Sequence, residues 1–89
     1  MKIKGQYVLR NIAGESVVVP VGSEQLDANV LVLLNETGAF LWELLYKGAS
    51  VDEIVSAFCD EYDTDAETVK ADLSAFVGYI KEKGIEIEA

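Results

Sequence analysis

The sequence predicts an α+β domain in which a three-stranded antiparallel sheet is followed by three helices. Residues 7–34 hold short β-branched runs separated by turn residues, the pattern of strands. Residues 36–83 instead carry apolar side chains at helical spacing, each run opened by a capping residue. Eighty-nine residues supply one core and no second lobe, so residues 1–89 are read as a single domain.

Tyr-Val-Leu-Arg-Asn-Ile, Tyr7 to Ile12, reads as the first strand, Ala13-Gly14-Glu15 as a tight turn, and Ser16 to Val21 as the antiparallel mate. Pro20 has no N–H to donate to a ladder. It is therefore expected near the end of the second strand, before the loop Gly22-Ser23-Glu24-Gln25-Leu26. Asp27 to Leu34 supplies a third strand and completes a meander. In sequential order that strand is an edge, and its unpaired N–H and C=O groups can accept a further strand.

Asn35 is suited to cap the helix that follows directly, with Glu36 at its positive end; the helix is expected from Glu36 to Lys47, stopping at Gly48. Phe40, Leu41, Leu44 and Leu45 form its apolar face, and Trp42 and Tyr46 extend that face as packing residues. Ser50 and Glu53 make a capping box ahead of Val51, Ile54, Val55, Phe58 and Tyr62, which repeat at helical spacing. Thr64 and Glu67 suggest a second box, opening a third helix that runs to Lys83 and stops at Gly84. Val69, Leu73, Phe76 and Ile80 form its buried stripe, with Asp72, Ala75 and Tyr79 along one flank. Ile85 and Ile87 are expected to fold back onto the core.

Charge divides the chain as the elements do. Lys2, Lys4 and Arg10 balance Glu15, Glu24 and Asp27 in residues 1–34, so the whole formal charge of −9 falls on the helical half. Such acidity disfavours nucleic acid and anionic membranes as partners and also keeps an apolar small protein soluble. The apolar fraction of 51% leaves surplus surface for a partner.

With one cysteine and no histidine, the chain offers no internal disulfide, no Cys/His zinc site and no histidine acid–base group. Cys59 sits on a helix margin as a small hydrophobe. Asp60, Glu61, Asp63, Asp65 and Glu67 space carboxylates around a turn, but the central glycine and closing glutamate of a calcium loop are missing. No phosphate loop or nucleophile elbow is present, so no catalytic residue, metal or cofactor is expected. No apolar run after residues 1–6 suits a signal peptide or a membrane span, which predicts a cytoplasmic protein.

Three strands and three closely linked helices suggest a winged helix-turn-helix arrangement. Its third helix would be the DNA reader, yet that helix balances Lys70, Lys81 and Lys83 with Glu67, Asp72 and Glu82. It has no arginine, asparagine or glutamine for base edges. A DNA-binding regulator is accordingly the weakest of the functional readings.

The ordered set Val30 to Leu45, Lys47-Gly48, Val51 to Val55, Glu61-Tyr62-Asp63 and Val69 to Val77 resembles the PqqD family, over Tyr7 to Ile85. Its most specific part is Leu34-Asn35-Glu36-Thr37-Gly38. The resemblance implies a non-enzymatic recognition element for ribosomally made, modified peptides. Such an element holds the leader segment of a precursor peptide as an added strand and presents it to a maturation enzyme, often a radical S-adenosylmethionine enzyme. Carried over, the docking strand is Asn29, Val30, Leu31, Val32 and Leu33, and the groove wall is Asp72, Ala75, Phe76 and Tyr79.

Either Val30 and Val32 or Leu31 and Leu33 face the core, since alternate residues point opposite ways. Val32 is taken as a backbone donor to the added strand. Phe76 is read chiefly as core and Tyr79 as the better groove residue, its hydroxyl kept wet. Asp72 either pairs with a lysine or arginine of the leader or is simply solvated. The same open edge also admits a homodimer through strand pairing between two copies.

Overall fold

The computed structural model describes residues 1–21 and 32–88. Its elements are β1 (Lys2–Ile3), β2 (Tyr7–Ile12), β3 (Glu15–Pro20), β4 (Val32–Leu34), α1 (Glu36–Lys47), α2 (Val51–Glu61), α3 (Ala66–Glu82) and β5 (Ile87–Glu88). β2, β3 and β4 pair antiparallel in sequence order, which makes the expected three-stranded meander and leaves β2 and β4 as its edges. The predicted loop Gly22 to Leu26 and the first part of the third strand, Asp27 to Leu31, lie outside the described residues.

The β2–β3 turn is tighter than expected. Ile12 pairs directly with Glu15, so two residues rather than three close the hairpin. Ala13 and Gly14 have φ of 53° and 84°, the positive pair that matches the right-handed twist of the flanking strands. β3 ends at Pro20, as its missing N–H requires.

β1 and β5 form a second, two-stranded sheet that the sequence did not announce, because strands of two residues have no periodicity to read. It joins the two ends of the chain over the core. Ile3 and Ile85 are both buried there, and Ile87 packs against the same cluster.

Each helix start is satisfied by a side chain. Asn35 accepts the Gly38 N–H at 2.8 Å. A Cβ at Gly38 would stand 3.0 Å from the same Asn35 oxygen, so the cap favours glycine there. Ser50 and Glu53 form the reciprocal capping box, at 3.1 and 2.8 Å. α3 is capped one residue later than expected, by Asp65 instead of Thr64, and its carboxylate accepts the Thr68 N–H at 2.8 Å. A full negative charge at the positive helix end explains the preference. The backbone N–H of Ser50 holds the Glu53 carboxyl below its ordinary range, and that of Thr68 does the same for Asp65.

The core lies between the inner face of the sheet and the three helices. Val18, Val32 and Leu34 from the sheet meet Leu41, Trp42 and Leu45 of α1, Ile54 and Phe58 of α2, and the α3 stripe Val69, Leu73, Phe76 and Ile80. Trp42 and Tyr46 take the packing roles expected of them. Tyr7 stands edge-on to Trp42 at 5.6 Å, and Tyr46 stacks on Trp42 at 6.2 Å. Cys59 is half-buried against this cluster.

A groove between the β4 edge and α3

Which backbone groups face outward at the sheet edges follows from the hairpin. A two-residue loop is closed by a hydrogen-bonded pair, here Ile12 with Glu15, and such pairs recur at every second position. Val21 N–H donating to Gln6 C=O at 3.0 Å confirms the phase. The backbones of Ser16 and Val18 therefore turn toward β4, where they meet Leu34 and Val32. Leu33, between them, turns its N–H and C=O away from the sheet.

A contact from α3 marks that open side. The Tyr79 hydroxyl donates to the Leu33 carbonyl oxygen at 3.3 Å. Side chains alternate with the backbone: Val32 and Leu34 point into the core, whereas Leu33 is 57% exposed. This resolves the alternatives for the described part of the strand and corrects one expectation. The Val32 N–H serves the bond to Val18, so Leu33 is the described residue with a donor to offer an added strand.

Between this edge and α3 lies a groove of about 370 Å³. Leu33, Asp72, Ala75, Phe76 and Tyr79, which the family resemblance implied as neighbours, come together along it. Val32 is buried and supplies no side chain to it, and Asn29, Val30 and Leu31 lie outside the described residues. Phe76, at 8% exposed, is both core and groove wall. Asp72 is the charged side chain of the lining and is exposed. Lys83 sets its ammonium over the Tyr79 ring, 5.4 Å from its centre.

Sequence reasoning missed one end of the groove. Asn35, Thr37 and Gly38 line it, with Leu34 and Leu41 below. The signal was present in Leu34-Asn35-Glu36-Thr37-Gly38, but the motif is fully explained locally as a helix cap. Among the described residues no cluster of three carboxylate or thiol side chains is placed to hold a metal ion. No helix among them is long and apolar enough to cross a membrane.

A sheet edge with outward backbone groups and a helix wall beside it describe a surface that can hold an extended chain. The sequence profile of the family described as coenzyme PQQ synthesis protein D (PqqD) matches residues 7–85. The chain belongs to the PqqD family. Among solved structures it is similar to one described as TbiB1 in complex with the TbiA(beta) leader peptide. The two are 33% identical, the alignment covers 100% of this chain and 99% of that one, and the TM-score is 0.76. No curated protein matches. The matched span of this PqqD-family chain contains β2 to α3 and hence the whole described groove, whereas the β1–β5 clasp falls outside it.

Proposed function

We propose that this PqqD-family protein binds the leader segment of a ribosomally synthesised precursor peptide as a strand added beside β4. It performs no chemistry itself and presents the peptide to a maturation enzyme, with radical S-adenosylmethionine enzymes the favoured class. The observation that carries this reading is the Leu33 backbone, turned out of the sheet into a groove walled by α3. The similar TbiB1 structure, which holds a leader peptide, supports it.

The division of labour follows from the chemistry. Backbone hydrogen bonds to Leu33 are indifferent to the leader's side chains and supply affinity, while the groove between Leu33 and Tyr79 selects among leaders. Asp72 favours a basic residue at its end of that groove.

Amide chemical-shift mapping of the ¹⁵N-labelled chain with the leader segment of its cognate precursor tests the proposal. Shifts are expected at Leu33 and along Asp72 to Tyr79. Shifts that cluster on α2 and spare β4 would sink it, as would a concentration-dependent dimer indifferent to the peptide.

A further inference from the structure

The sheet has a second edge, and the same alternation opens it. The phase that turns Leu33 outward on β4 turns the backbones of Tyr7, Leu9 and Asn11 outward on β2. Tyr7 N–H donates to the Tyr46 hydroxyl at 3.2 Å, which closes one end of that edge. Among the described residues, no hydrogen bond reaches Leu9 or Asn11 from this side.

α1 crosses beneath the sheet, from its start directly after β4 to the Tyr46–Tyr7 contact at the β2 edge. From the Tyr46–Tyr7 contact it extends back past Phe40 to Glu36, and a groove of about 400 Å³ lies between these α1 residues and Leu9, Arg10 and Asn11. Phe40 and Tyr62 line it, edge-to-face at 5.6 Å. Glu36, Glu43 and Glu61, all exposed, face it against the single cation Arg10. The Tyr62 hydroxyl donates to the Glu36 carboxylate at 3.2 Å, which holds both side chains at the groove.

We propose that the β2–α1 groove is a second strand-accepting surface, and that its occupant is an extended segment of another protein with lysine or arginine at alternate positions. An added strand would bond to the outward backbones of Leu9 and Asn11. Its alternate side chains would share one face, so a basic residue at every second position meets the glutamates of α1 and the ring of Tyr62. Charge argues against a second copy as the occupant. Each copy carries a formal charge of −9, and its own open edge has no basic residue from Asn29 to Leu34. The two edges of a three-stranded sheet are about 10 Å apart, so a peptide on β4 leaves β2 free.

The test is a titration of the ¹⁵N-labelled full chain with a blocked heptapeptide alternating lysine and valine, and with its glutamate–valine counterpart. The lysine peptide is expected to shift the amides of Leu9 and Asn11 and the ring signals of Tyr62, with affinity falling steeply as salt rises from about 50 to about 300 mM. Glu43→Lys, an exposed change on α1, is expected to weaken that binding about fivefold while the chain keeps its thermal midpoint. Leu33→Pro is expected to leave it unchanged. An equal response to the glutamate peptide, shifts confined to β4 and α3, or silence at Leu9 and Asn11 would each overturn the proposal. None of these outcomes bears on leader binding at β4, which is read from the cognate leader alone.

Discussion

The β4 edge and the β2 edge of one sheet share a geometry and differ in chemistry. Each presents outward backbone groups beside a helix, and each has a tyrosine hydroxyl bonded to one of them. On β4 the hydroxyl of Tyr79 donates to a carbonyl, and on β2 that of Tyr46 accepts from an N–H. The groove along β4 carries one charged side chain, Asp72, whereas that along β2 carries three glutamates and an arginine. Hydrogen-bond alternation thus opens both edges, and the flanking helix decides what each one prefers. The tyrosines also blunt two edges that would otherwise invite uncontrolled strand pairing.

The largest expected difference between the two grooves is structural. Phe76 of the β4 groove is buried in the core, while Phe40 of the β2 groove is only partly buried. Phe76→Ala should cost about 3–5 kcal/mol of stability and Phe40→Ala about 1–2 kcal/mol, measured by urea unfolding. Equal losses would erase the distinction between a wall that is core and a wall that is surface.

Next in size is the backbone effect at β4. Leu33→Pro removes the outward N–H at an edge position where proline is tolerated, and should weaken leader binding about tenfold by calorimetry, against a few-fold for Leu33→Ala. Matching losses in the two variants would mean that the Leu33 side chain, not the ladder, makes the contact.

Acidification should have the smallest effect on stability. The Glu53 and Asp65 carboxyls have lowered pKa values because they accept backbone N–H groups at the starts of α2 and α3, and neither lines a groove. Their contribution to stability is present above the unfolded-state pKa, near 4. It is lost as pH falls through the lower folded values. The thermal midpoint should therefore decline below about pH 4, less so in Asp65→Asn, where the cap no longer titrates.

Local chemistry made most of the fold legible before any coordinates. Asn35, the Ser50–Glu53 box and the stripe Val69, Leu73, Phe76 and Ile80 each carry their own reason for forming a helix, and the helices appear there. The α3 cap falls on Asp65 rather than Thr64: both residues satisfy the local capping rule, and the charge of the carboxylate at the positive helix end favours Asp65. Of the candidate groove residues, Asp72, Ala75 and Tyr79 were readable as one flank of a helix and Phe76 as its buried stripe, and only the family resemblance set them beside the third strand. Asn35, Thr37 and Gly38 were not, since a capping motif gives no sign that it also ends a groove.

By itself the sequence determined the order of the meander strands and the three helices, and that acid gathers in the helical half. Those properties depend on residues a few positions apart, so local spacing is enough to reveal them. The tertiary structure alone decided that Leu33 rather than Val32 offers its backbone to a partner, and that the terminal strands β1 and β5 clasp. It alone set Glu36, Glu43 and Glu61 beside the open side of β2. Strand phase is set across the sheet by the turn at Ala13-Gly14, and groove composition by which helix packs beside which edge. Both are relations between distant residues, which no local pattern encodes.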